Sequence, residues 1–203
     1  MTVDEIMRTA PVIPVLVFHD EMDWTALAET FVAAGLPVLE VTLRTGHGLD
    51  AIRQMSKVPG AVVGAGTVLN EVQLAQAIDA GSRFIVSPGL TNPLALASRD
   101  TEVPFLPGVA TSSEIMRGLD LGLDRFKFFP AEASGGISAL KAIAGPFGNV
   151  RFCPTGGIRA ETAVEWLALE NVLCVGGSWF VKKGDSLDAI GERARAAAAL
   201  ARG

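Results

Sequence analysis

Asp124-Arg-Phe-Lys-Phe-Phe-Pro-Ala-Glu132 sets one lysine, Lys127, among three phenylalanines. The run is short, apolar and aromatic. It stops at Pro130, which has no N–H to give a ladder, so it predicts a buried β-strand. Alternation puts Phe126 and Phe128 on one face of that strand and Lys127 and Phe129 on the other. An amine on a buried face is costly. A low-polarity setting disfavours its charged form, and the neutral amine is the species that attacks a carbonyl carbon. Taken alone, the stretch fits two readings. In one, Lys127 snorkels to solvent or pairs with a carboxylate. In the other, it is a nucleophile.

The same strand-then-helix unit recurs on both sides of this stretch. After a short helix over 2–9, strands are expected over 12–18, 37–44, 61–68, 83–87 and 103–107. The lysine strand comes sixth, followed by strands over 150–154 and 172–176. Between them, apolar residues recur at helical spacing. Trp24, Leu27, Ala28, Phe31 and Val32 mark the first such helix, stopped at Gly35. Others are expected over 49–57, 71–80, 91–99, 111–119, 137–144, 160–169 and 187–201. The one over 111–119 opens on the capping box Thr111-Ser-Ser-Glu114. Eight units spaced roughly 20–27 residues apart fill the chain with no linker, the count and order of an α/β (β/α)8 TIM barrel as one domain over residues 1–203. A doubly wound open sheet shares the alternation. Polar residues at inward-facing strand ends, and glycine-rich turns after the last two strands, favour the barrel.

Composition narrows the function. The chain is 49% hydrophobic and 19% charged, which suits a well-buried globular domain and not a disordered one. Its net charge of -5, with no basic cluster, argues against nucleic acid or an anionic membrane as partner. The N-terminus is acidic and lacks the apolar core of a signal peptide, and no apolar run has the length of a membrane span. These features point to the cytoplasm. Cys153 and Cys174 lie in apolar runs and are expected to be reduced core residues. His19 and His47 belong to no ligand-spaced cluster, so no metal site is expected.

In a barrel the C-terminal strand ends share one mouth. Those ends carry Glu40 and Arg44, Gly64-Ala-Gly-Thr67, Ser87-Pro-Gly89, Lys127, Thr155-Gly-Gly157 and Gly176-Gly-Ser178. Each glycine pair alone reads as a tight turn. Glu40 and Arg44 share a face about 13 Å apart by strand rise. That places Glu40 deeper and Arg44 at the rim, as members of a salt-bridged layer or as working groups. A buried glutamate suits proton transfer, and arginine's planar fork suits a carboxylate. Glycine turns with Thr155 and Ser178 offer N–H and hydroxyl donors to a phosphate. Together the groups describe a site for a phosphorylated keto acid. An amine and a 2-keto acid give an iminium at C2, an electron sink that lets the C3–C4 bond break without a metal or other cofactor. A non-catalytic phosphosugar-binding barrel and a phosphosugar isomerase share parts of this pattern. The first has no need of Glu40 or an inward Lys127; the second leaves the carbon count unchanged.

Val38-Leu-Glu-Val-Thr-Leu-Arg-Thr45, Gly64-Ala-Gly-Thr-Val68, Ser87-Pro-Gly89, Phe126-Lys-Phe-Phe-Pro-Ala-Glu132, Phe152-Cys-Pro-Thr-Gly-Gly-Ile158 and Gly176-Gly-Ser-Trp179 occur in this order. In combination they resemble the 2-keto-3-deoxy-6-phosphogluconate (KDPG) aldolases, class I aldolases of the Entner–Doudoroff pathway. The resemblance spans nearly the whole chain. It implies a homotrimeric barrel that cleaves KDPG to pyruvate and D-glyceraldehyde 3-phosphate, and leaves room for activity on 4-hydroxy-2-oxoglutarate. By the same resemblance Lys127 matches the Schiff-base lysine and Glu40 the general acid/base. Arg44 and Thr67 match the keto-acid end, and Pro88 and Phe129 the pocket wall. Thr155, Gly156, Gly157, Gly177 and Ser178 match the polyol and phosphate side. The threonine at 155 favours the gluconate over the galactonate epimer.

Overall fold

The computed structural model describes residues 1–201. The last two positions of the domain expected over 1–203 lie outside the described residues. The chain opens on α1 (Val3–Thr9). A reciprocal pair of bonds closes its N-terminus: the Thr2 hydroxyl accepts from the Glu5 N–H, and the Glu5 carboxylate accepts from the Thr2 N–H. Then follow β1 (Val12–Leu16), α2 (Trp24–Ala33), β2 (Val38–Thr42), α3 (Gly48–Met55), β3 (Val62–Gly66) and α4 (Glu71–Asp79). Next come β4 (Ile85–Val86), α5 (Asn92–Asp100), β5 (Phe105–Leu106), β6 (Gly108–Val109), α6 (Ser112–Asp120) and β7 (Arg125–Phe128). The last are α7 (Gly136–Ala144), β8 (Arg151–Pro154), α8 (Ala163–Leu167), β9 (Val175–Gly177) and α9 (Leu187–Ala198). No helix among the described residues is long and apolar enough to cross a membrane.

The alternation gives a curled, parallel α/β sheet. Six strands form one ladder in the order β5-β4-β3-β2-β1-β9, and three form a second, β6-β7-β8. β1, β2 and β3 are buried at every position, as parallel strands covered on both faces must be. The strand expected over 103–107 is divided at Pro107, which has no N–H for a ladder. Before it, β5 pairs with β4; after it, β6 pairs with β7. The last strand lies further on than expected. Gly176 and Gly177 are therefore strand residues, paired with Ile13 and Pro14, and not a turn. Bridges from Phe152 to Val172 and from Thr155 to Gly176 run between the β8 segment and the β9 segment. The helix expected over 160–169 shortens to α8, because Thr162 bonds back to Arg159 in a preceding turn.

Two buried clusters lie on the two faces of the sheet. The larger packs strands against helices and takes Leu39, Val41, Phe126 and Phe128. Phe126 meets Phe152 and Phe128 meets Trp166, with ring centroids 6.5 and 6.4 Å apart. The smaller contains Ile13, Val38, Val62, Leu106 and Cys153, with Ile6 and Met7 of α1 inserted among them. α1 sits at the N-terminal ends of the strands, since Asp4 pairs with Arg125, the first residue of β7, at 2.6 Å. Arg8 holds the other oxygen of Asp4 at 2.6 Å. Burial pushes the Asp4 carboxyl up, but the hydrogen bonds and charge of Arg125 and Arg8 outweigh it and hold the group below its ordinary value.

Candidate active site

Lys127 is held by its strand on both sides, opposite Gly108 of β6 and Cys153 of β8. Its backbone N–H donates to the Pro107 carbonyl at 2.9 Å. The side chain turns away from Phe126 and Phe128, as alternation requires, and its Nζ meets Glu40 at 3.0 Å to Oε1 and 3.4 Å to Oε2. The two side chains are only 5% and 4% exposed. Lys127 is thus buried and paired, and its partner is the very carboxylate suited to proton transfer. Such a pair is a poor source of stability, because desolvating both groups offsets most of their attraction. Breaking it from one side costs about 3–5 kcal/mol.

Glu40 needs room as well as a partner. It lies on β2 opposite Val15 and Gly64. A Cβ on Gly66 of β3 would fall on its carboxylate, and a Cβ on Gly64 would fall 2.5 Å from the Phe84 ring. Gly64-Ala-Gly66 thus lies within the strand expected over 61–68. Its glycines are small because other side chains occupy the space a methyl would take.

At the rim, exposed Arg44 donates from Nε to the Thr67 hydroxyl at 3.3 Å. Thr67 has φ +60, a left-handed conformation that costs a residue with a Cβ about 1–2 kcal/mol. Pro88 is half-buried within Ser87-Pro-Gly89, a turn tied by the Ser87 hydroxyl donating to the Gly89 carbonyl at 2.6 Å. Half-buried Phe129 presents its ring 5.1 Å from the Lys127 Nζ.

The segment after β8 is stitched to the segment after β7. Thr155 donates its N–H to the Phe128 carbonyl at 2.9 Å. Ala131 and Glu132 donate theirs to the carbonyls of Thr155 and Gly156 at 2.8 and 3.0 Å. Gly156 and Gly157 have φ +104 and +81, so glycine is required at both. A Cβ on Gly156 would lie 3.3 Å from the Phe129 ring, which puts this turn beside the lysine's neighbour. Thr155 is buried, and Gly176 is a glycine because its Cβ would strike the Thr155 side chain. Gly177 likewise leaves room for the Trp179 ring, while Ser178 beyond it is exposed.

The model of the family described as KDPG and KHG aldolase matches residues 3–192. The chain belongs to this aldolase family. The 2-dehydro-3-deoxy-phosphogluconate aldolase of Zymomonas mobilis is 57% identical over 182 residues, covering 90% of this chain and 88% of its own. A crystal structure of the Zymomonas mobilis ZM4 aldolase with 3-phosphoglycerate superposes with a TM-score of 0.95 at 55% identity, covering 98% of this chain and 96% of that one. The Legionella pneumophila KDPG aldolase, with pyruvate captured at low pH as a covalent carbinolamine, superposes with a TM-score of 0.94 at 44% identity. That match covers 98% of this chain and 99% of the Legionella chain.

Within this aldolase, two groups beside the expected site carry no sequence signal of their own. Gly66 seats Glu40, and Glu132 accepts the Trp166 indole N–H at 3.1 Å. Both stand inside quoted motifs, but only contact between distant segments shows what they do.

Proposed function

We propose that this chain is a class I aldolase that cleaves 2-keto-3-deoxy-6-phosphogluconate to pyruvate and D-glyceraldehyde 3-phosphate through a Schiff base on Lys127. The observation that carries the reading is the buried 3.0 Å contact between the Lys127 Nζ and Glu40. The neutral amine attacks C2 of the keto acid, giving a carbinolamine whose hydroxyl leaves as water once protonated; Glu40 is the proton carrier within reach. The iminium that remains draws electrons. Glu40 takes the proton of the C4 hydroxyl, the C4 oxygen forms a carbonyl, and the C3–C4 bond breaks. Its electron pair passes into the iminium to give an enamine. D-glyceraldehyde 3-phosphate departs, C3 is protonated, and water releases pyruvate from Lys127. No step draws on a metal.

Arg44, fixed by Thr67, is assigned to the keto-acid carboxylate, and Pro88 and Phe129 to the pocket wall. Thr155, Gly156, Gly157, Gly177 and Ser178 are assigned to the polyol and phosphate. Gly177 acts through its backbone, as the strand residue that leads to Ser178. The carbinolamine of the Legionella relative and the 3-phosphoglycerate of the Zymomonas one support the two ends of this assignment. The family description also supports activity on 4-hydroxy-2-oxoglutarate.

The same proposal includes a closed eight-stranded (β/α)8 barrel in one domain. It is supported by the bridges between the β8 and β9 segments and by the single residue, Pro107, between β5 and β6. It also includes a homotrimer, supported by exposed apolar residues on or beside three consecutive helices: Leu69, Val72, Leu96, Met116 and Leu119. Light scattering on the purified protein tests the trimer; a monomeric mass refutes it. Borohydride reduction in the presence of pyruvate tests the chemistry. The peptide containing Lys127 gains the reduced pyruvyl group, and Lys127→Ala abolishes both the adduct and cleavage. An unmodified Lys127 peptide refutes the reading.

A further inference from the structure

We propose that Glu132 is a positioning residue that sets the Gly156-Gly157 turn and thereby decides how strongly the enzyme prefers a phosphorylated substrate. The inference rests on the aldolase reading above. Glu132 ends the motif that carries Lys127, yet it is exposed, and the Lys127 amine pairs with Glu40 instead. Three contacts give it another task. Its Oε1 accepts the indole N–H of Trp166 at 3.1 Å, and Trp166 is buried at 1% exposure. Its backbone N–H donates to the Gly156 carbonyl at 3.0 Å. Its Cβ and Cγ lie 2.7 Å from the place a Cβ on Gly157 would occupy, so the stem of Glu132 covers one side of that glycine.

These contacts make a chain of fixed groups. The Trp166 ring packs on Phe128, the residue after Lys127, with centroids 6.4 Å apart. Trp166 then holds the Glu132 carboxylate, and Glu132 holds the glycine turn by its backbone and its stem. A buried indole N–H left without an acceptor is costly, so the Trp166 bond fixes the Glu132 rotamer firmly. The same bond keeps one oxygen of an anionic side chain engaged beside a turn assigned to a phosphate. Removing the carboxyl frees both the indole and the turn. It leaves the Lys127–Glu40 contact in place, because the Lys127 amine is held by Glu40 and not by Glu132.

The test compares Glu132→Ala and Glu132→Gln with the parent enzyme on two substrates: 2-keto-3-deoxy-6-phosphogluconate and its unphosphorylated counterpart, 2-keto-3-deoxygluconate. In Glu132→Ala the KM for the phosphorylated substrate rises about tenfold, the ratio that one hydrogen bond to a charged group supplies. Its kcat, its kcat/KM on the unphosphorylated substrate and its borohydride trapping of pyruvate each stay within about twofold. Glu132→Gln keeps an oxygen for the indole and retains the parent KM. Equal losses on both substrates, or a Glu132→Gln variant as impaired as Glu132→Ala, overturn the inference while leaving the aldolase reading intact. A parent enzyme that neither cleaves KDPG nor traps pyruvate overturns the aldolase reading itself. Thermal melting of both variants separates a displaced turn from a general loss of fold: a collapse of Glu132→Ala that Glu132→Gln shares also counts against a positioning role.

Discussion

Gly66→Ala tests whether the Lys127–Glu40 pair depends on an absent methyl. A Cβ at this position would sit 2.7 Å from Glu40 Cγ and 2.8 Å from Cδ, and would fall on Oε1 itself. Non-bonded carbon atoms pack best no closer than about 3.5 Å, so the carboxylate or the strand must yield by roughly 0.7–0.8 Å. Overpacking of a close-packed interior costs about 1–3 kcal/mol. The functional cost is larger. The Lys127–Glu40 contact stands at 3.0 Å, and a shift of this size is comparable with the whole range over which an N–H···O bond holds. Losing a positioned acid/base group costs about 10²–10⁴ in rate, so kcat for KDPG cleavage falls by at least about a hundredfold. Gly64→Ala is the companion variant. Its Cβ meets the Phe84 ring at 2.5 Å and destabilises the interior without landing on the carboxylate. Pyruvate release and thermal melting on both variants make the comparison. A Gly66→Ala enzyme that turns over at the parent rate, or one whose kcat falls no further than that of an equally destabilised Gly64→Ala, refutes the reasoning.

Three further outcomes follow from the geometry. Glu40→Gln retains part of the borohydride-trappable iminium but loses about 10²–10⁴ in turnover, read by trapping and steady-state kinetics on one preparation; normal turnover removes Glu40 from the mechanism. Thr67→Gly raises the KM for the keto acid because Arg44 loses its hydroxyl partner, while the melting temperature holds because glycine adopts φ +60 freely; a large drop in melting temperature with an unchanged KM contradicts both halves. Asp4, held low by Arg125 and Arg8, contributes stability that is present above its unfolded value near pH 4 and is lost as pH falls through its lower folded value. Asp4→Asn therefore melts below the parent at pH 7, and the gap closes in strong acid; a gap unchanged by pH shows that the Asp4 charge is not what anchors α1.

Much of the site was legible because alternation is local. Lys127 facing away from Phe126 and Phe128 follows from a two-residue period, and so does Glu40 lying on the face opposite Leu39 and Val41. Glycine was the least legible residue. Gly156 and Gly157 do need positive φ, as a tight turn would suggest. Gly64, Gly66, Gly176 and Gly177 lie in strands and serve instead to make room for Phe84, Glu40, Thr155 and Trp179. A sequence shows the missing side chain but not which neighbour fills its place. Pro107 was similar: its missing N–H was in view, but not that the strand changes ladders there.

The sequence by itself determined the parallel α/β alternation, the inward lysine and the order of motifs that marks the family. Each depends on residues close together in the chain, where steric period and side-chain chemistry act without help. Tertiary structure decided the rest. Lys127 and Glu40 are 87 positions apart, and their 3.0 Å contact exists only because β2 and β7 aim their side chains into one buried space. The seat of Glu40 beneath Gly66, the bond from Trp166 to Glu132 and the tether from Asp4 to Arg125 are contacts of the same kind. Their geometry comes from close packing between distant segments, which no local period encodes.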